Sequence, residues 1–173
     1  MSEESRSLEP ITAADLSRLG EIAREDRERM FKTNSKWRPY RRRTLAVTLC
    51  QGAALHYLEG RNGVKDFDVW TFFARARERP YPDAALFRRR KVADFGPSRF
   101  GRTTTGPTWM LGRRIDLFTR SLDLRASARP ADAIRAWLEA GQTETARRLA
   151  EKAVIELEPN LGEVIWPPPP GAR

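Results

Sequence analysis

The segment "LCQGAALHYLEGRNGVKDFDVWTFF", Leu49 to Phe73, places two aspartates, Asp66 and Asp68, inside a run of Val, Phe and Trp that otherwise has the composition of a buried strand. Aspartate is depleted from strands, so two in one apolar run call for a chemical reason. Residues i and i+2 of a strand share a face, which turns both carboxylates the same way and sends Phe67 and Val69 into the core. The Cα atoms of such a pair lie about 6.6 Å apart. At an effective dielectric of 20, two unit charges at that distance repel by about 2.5 kcal/mol, against about 0.6 in bulk water. A half-buried pair therefore needs a counter-charge. Hard oxygen donors at this spacing suit Mg²⁺, which takes a few carboxylates together with substrate phosphates.

A third acid obeys the same local grammar. Asp116 interrupts the apolar "RRIDLF", Arg113 to Phe118. Three acids on two neighbouring strands would hold two metal ions, one at an attacking oxygen and one on a triphosphate. Gly52 stands where a strand would give way to a short helix, a place where backbone amides can approach phosphate. The same residues have a simpler reading, in which the acids are polar decoration of an exposed strand edge.

Several classes are excluded. No apolar run approaches the roughly 20 residues of a membrane span, and "MSEESRSLEP" lacks the basic-then-apolar grammar of a signal peptide, so a cytoplasmic protein that engages no membrane is expected. The lone Cys50 cannot form an internal disulfide, and with the lone His56 it cannot build a structural zinc site. His56 reads as a surface or core-edge imidazole rather than a base. Ser98 and Thr105 have no partners for nucleophilic catalysis.

The 173-residue chain carries 32 Lys and Arg against 23 Asp and Glu, a formal net charge of +9. Arginine dominates the excess, clustering at Arg38 and Arg41–Arg43, at Arg88–Arg90 with Lys91, and at Arg99, Arg102, Arg113 and Arg114. Arginine grips phosphate bidentately, which points to a polyphosphate or RNA partner; the bland alternative is a set of solvated faces. Trp109, beside Thr103–Thr105, is either a base-stacking residue or a hydrophobic anchor.

The elements that must position these residues can be read in order. Ile11 to Lys32 has helical periodicity with Thr12 as N-cap, and "NSKWRP", Asn34 to Pro39, ends it. Leu45 to Cys50 is a short strand, Gly52 to Gly60 a brief helix, and Val64 to Phe73 the acid-bearing strand with Trp70, Phe72 and Phe73 in the core. "RRRKVADFG" and "RRIDLF" are further strands, with the turn-rich Pro97 to Gly112 between them. Ala131 to Ala140 and Thr143 to Leu157 predict a C-terminal helical hairpin, and "WPPPPGAR" reads as an extended tail that joins no sheet. The expected architecture is α/β (or α+β), a mixed sheet flanked by helices. Residues 1–128 would form the domain, 129–158 the hairpin packed on it and 159–173 the tail.

"QGAALHYLEGRNGVKDFDVW", followed about fifty residues later by "RRIDLF", resembles the polymerase-β-type nucleotidyltransferase superfamily, most closely the bacterial abortive-infection toxin-like branch. The resemblance spans Leu45 to Phe118. It implies a nucleotidyltransferase-like fold in which Asp66, Asp68 and Asp116 are the catalytic metal ligands for two Mg²⁺ ions. It further implies that Gln51, Gly52 and Ala53 form the nucleotide-phosphate turn, that a nucleoside triphosphate is the substrate, that RNA or another hydroxyl is the acceptor, and that a cognate antitoxin is a partner. Two departures are visible: the family's turn carries Gly-Gly or Gly-Ser where Gln51-Gly52-Ala53 stands, and Val64 and Lys65 replace the hydroxyl residue ahead of the aspartates. The alternatives of another class are a catalytically degenerate nucleic-acid-binding relative and an interaction protein that docks a partner through Trp137 and Leu149.

Overall fold

A computed structural model describes residues 6–82, 88–96, 99–101, 112–123, 129–168 and 170–171. Among these, four α-helices and a six-stranded mixed sheet form an α/β fold. Helix α1 (Ala13–Thr33) starts on a capping box, in which the Thr12 hydroxyl accepts from the Asp15 amide while the Asp15 carboxylate accepts from the Thr12 amide. A 3₁₀ turn, Arg38–Tyr40, follows the break at Asn34. Strand β1 (Thr44–Cys50) runs directly into α2 (Gln51–Glu59), which stops at the left-handed Gly60. Then come β2 (Phe67–Ala74), β3 (Arg89–Ala93), β4 (Arg113–Leu122), α3 (Pro130–Ala140), α4 (Glu144–Ala150), β5 (Val154–Glu158) and β6 (Val164–Trp166).

The sheet order is β3-β4-β2-β1-β5-β6; β2 and β4 are parallel and the other neighbours antiparallel. Alternation along the strands feeds two cores. Val47, Leu49, Phe67, Val69, Ile115 and Leu117 meet Leu16, Leu19 and Ala23 of α1 on one face. On the opposite face Ala46, Cys50, Phe72 and Val154 meet Ile134 and Leu138 of α3 and Leu149 of α4. A third, aromatic cluster of Phe31, Trp37, Tyr40 and Phe73 seals the end of α1 against the 3₁₀ turn.

The C-terminal region differs from the sequence reading. Thr143 to Leu157 is not one helix: α4 ends at Ala150, and Val154–Glu158 is strand β5, paired with the central β1. The apolar set Leu149, Val154 and Leu157 fits helical spacing, but Val154-Ile155 is β-branched and the position beside β1 buries both faces. The tail also contributes to the sheet, because Val164–Trp166 pairs with β5 before the prolines begin. The sheet therefore recruits residues from both sides of the expected boundary at 158. Trp137 and Leu149, expected on a docking face, are used inside the fold: Leu149 is buried and Trp137 packs edge-on against Phe72 at 5.7 Å. Among the described residues no helix is long and apolar enough to cross a membrane.

Candidate functional site

The register of the parallel β2–β4 pair brings the acids together. Asp68 is the direct partner of Asp116, so their side chains leave neighbouring strands on the same face, about 4.8 Å apart in the backbone. That is the face partly covered by α3 and α4. Asp66 precedes β2 by one residue rather than lying within it, yet it lines the same cavity of about 300 Å³ as Asp68 and Asp116. The cavity is completed by Gln51 at the start of α2 and by Arg148 and Leu149 of α4.

The acids differ in charge balance. Asp116 is 1% exposed; burial works to raise its pKa, but hydrogen bonds from Arg88 (2.5 Å) and Arg90 (3.1 Å) outweigh this and hold its carboxyl below the ordinary range. Arg114 binds Asp66 and stands 3.7 Å from Asp116. Asp68 is half-buried, and desolvation together with the charges of Asp66 and Asp116 pushes it up to about 7, against the opposing pull of Arg88 and Arg114. One carboxylate of the three is thus short of positive charge.

The β1–α2 turn lies alongside. Gln51 adopts a left-handed backbone (φ 62°), a conformation that glycine takes freely and other residues at a cost. It is held there by its amide, which donates to the Ala153 carbonyl, and by Nε2, which donates to the Arg148 carbonyl. Gly52 is demanded by closeness: a Cβ there would stand 2.9 Å from Asn62 Nδ2, the group that donates to the Gly52 and Gly63 carbonyls. The N-terminus of α2 has no side-chain cap. Beside it a smaller cavity of about 150 Å³ is lined by Gln51, Gly52 and Ala53 together with Asp66 and Asp68, and carries the cations Arg6, Lys65, Arg148 and Lys152. Backbone amides and four cations make that pocket suited to an anion next to the acids.

All six residues singled out as a site therefore line two adjoining cavities. The carboxylates are hard donors and Asp68 lacks charge compensation, which fits a divalent cation in kind. In the present arrangement Asp66 and Asp116 are turned to arginines, and among the described residues no three acidic, histidine or cysteine side chains stand in metal-holding geometry.

Other expectations are revised. Trp70 is not core but half-buried, forming with Phe118 a parallel stack (4.7 Å, 14°) that walls the cavity next to the acids. His56 is fully buried: its Nδ1 accepts from the Gly63 amide, which leaves Nε2 to donate to the Glu9 carbonyl, so it is a neutral cross-link between loops. Much of the arginine excess is already paired within the fold, since Arg88, Arg90 and Arg114 serve the acids, Arg89 and Lys91 pair with Asp26, Arg99 pairs with Asp15, and Arg113 is buried against the Phe100 carbonyl. Ser98, Arg102, Thr103–Thr105 and Trp109 lie outside the described residues. Strand alternation from Asp116 could have identified Arg114 and Phe118 as neighbours on its face. Nothing local marks Arg148 or Lys152, which reach the site only because β5 enters the sheet.

Comparison with known proteins adds no identity: no family model, no curated protein and no solved structure matches the chain.

Proposed function

We propose that this chain is a metal-dependent nucleotidyltransferase of the polymerase-β type, moving a nucleoside monophosphate from a nucleoside triphosphate to a hydroxyl of RNA or another acceptor. The observation that carries the reading is the register partnership of Asp68 with Asp116 on parallel strands, with Asp66 lining the same cavity beside the uncapped start of α2. Asp66, Asp68 and Asp116 would hold Mg²⁺, which when bound supplies positive charge to triphosphate oxygens. Gln51, Gly52 and Ala53, with Arg148 and Lys152, would seat the phosphates. In the transfer the acceptor oxygen forms a bond to the α-phosphorus, the α–β bridge breaks, pyrophosphate leaves and the hydroxyl proton passes to a base.

Label transfer from α-phosphate-labelled nucleoside triphosphates to single-stranded RNA tests this. Transfer should require Mg²⁺ and vanish in Asp68→Asn and Asp116→Asn; equal transfer by these variants refutes it. One observation favours a second reading. Asp66 and Asp116 are already neutralised by Arg114, Arg88 and Arg90, as in a relative that has replaced the metal by arginine and only binds nucleic acid. That relative would bind RNA, transfer nothing, and be indifferent to chelators. A toxin-like role with a cognate antitoxin would follow from the first reading.

A further inference from the structure

The acid cavity is one end of a longer groove. Through Trp70, Arg88, Phe118 and Thr145 it opens into a cavity of about 640 Å³. That cavity shares Arg75 with a third, of about 500 Å³, lined by Arg43, Arg77 and Arg79. The direction is set by strand geometry: Asp68 and Trp70 on β2, and Asp116, Phe118 and Arg120 on β4, project from one face at successive i+2 positions. Asp116 to Arg120 therefore covers about 13 Å. Beyond the strand ends the chain continues into Arg75, Arg77 and Arg79.

The lining changes character along this path. Next to the acids stands the stacked pair Trp70–Phe118, backed by the buried Phe72 and with the Arg88 guanidinium 5.2 Å over the Phe118 ring. Arg120 follows, lying over Trp137 and donating to the Thr145 hydroxyl. Burial and the nearby Arg75 charge both weaken its hold on the proton. Arg75 has an exposed partner in Asp123. At the far end Arg43, Arg77 and Arg79 are exposed; one acid, Glu78, lines the same cavity, but among the described residues no carboxylate forms an ion pair with the three arginines. An aromatic wall followed by guanidinium groups in excess of carboxylates suits a flexible polyanion that carries unpaired bases.

We propose that this groove binds a single-stranded nucleic acid, with a terminal nucleotide at Trp70 and Phe118 beside the acids and the backbone phosphates on Arg120, Arg75, Arg43, Arg77 and Arg79. Its reading as the acceptor track rests on the proposed transferase, whereas binding itself does not. The half-buried stack is reached by unpaired bases and not by a duplex, whose bases are occupied with one another.

The test is fluorescence anisotropy of the full chain with a labelled single-stranded RNA, the same sequence as DNA, and the RNA duplex, over a salt series. Five phosphate contacts predict a log–log salt slope of about −3.5 for single strands. The triple variant Arg43→Gln/Arg77→Gln/Arg79→Gln, all at exposed positions, should weaken binding roughly tenfold or more and make the slope shallower by about 2. Phe118→Leu should weaken it without changing the slope. Comparing the RNA and DNA arms identifies which nucleic acid is preferred. An unchanged affinity in the triple variant, tighter binding of the duplex, or no single-strand binding at low salt overturns the proposal. Binding as expected, with no label transfer under any condition, would remove the transferase and leave the groove standing.

Discussion

Asp68 provides the sharpest physical prediction, because its carboxylate sits beside two others and partly out of water. Its ordinary pKa of 3.8 is pushed up to about 7 in the fold, by desolvation first and by the charges of Asp66 and Asp116 next. Between those values the native state holds a proton that the unfolded chain has released. Stability is therefore highest below about pH 4 as far as this group is concerned, falls as pH rises towards 7, and levels off above it. Each pKa unit corresponds to 1.36 kcal/mol, so the full span costs on the order of 4 kcal/mol at pH 8. Partial exposure of the carboxylate reduces this to about 2–4 kcal/mol. Asp68→Asn removes the charge and keeps the shape. Urea denaturation of wild type and variant from pH 4 to 8.5 should show near-equal stability at the acid end and a variant more stable by about 2–4 kcal/mol at pH 8. Saturating Mg²⁺ should narrow the gap at pH 8 by stabilising the wild type alone. A variant equal to or weaker than wild type at pH 8 would refute the charge crowding on which the site depends.

Other consequences follow from the same contacts. Asp116→Ala strips Arg88 and Arg90 of their shared partner; because both arginines reach solvent, the cost should be about 1–3 kcal/mol, below that of a fully buried pair, measured by denaturation at pH 7. Gln51→Gly fits the left-handed backbone and should change stability by less than about 1 kcal/mol, whereas Gln51→Val should cost about 1–3, a contrast readable in thermal melts. Gly52→Ala forces Asn62 aside and should cost about 1–2 kcal/mol; in an Asn62→Ala background the penalty should shrink, which a double-mutant cycle measures. Ile134→Ala, at the fully buried contact of α3 with the sheet, should cost about 2–5 kcal/mol by urea denaturation.

The sequence was informative wherever a local rule settled the structure. Thr12 and Asp15 form the capping box expected at the head of α1, Gly60 and Gly141 end α2 and α3 in the left-handed conformation, and the acid-in-apolar grammar identified β2 and β4. It was misleading where tertiary pairing decides. Val154 to Leu157 has a spacing compatible with either period, and only the vacancy beside β1 makes it a strand. Trp70 carries the composition of a core residue, yet it is half-buried, because its stack with Phe118 forms a wall of the cavity on that face of the sheet. The acids were legible, but their arginine partners were not. Arg88 and Arg90 read as phosphate-binding or solvated charge until the antiparallel β3–β4 register sets Arg90 opposite Asp116.

The proposed transferase rests on one claim, that Asp66, Asp68 and Asp116 form one cation-dependent nucleotide site. Calorimetric titration of the chain with each nucleoside triphosphate, in Mg²⁺ and after chelation, tests it most directly. The claim predicts saturable binding that requires Mg²⁺ and is lost in Asp68→Asn. Binding that survives both chelation and that substitution, or no binding by the wild type at millimolar nucleotide, would contradict it.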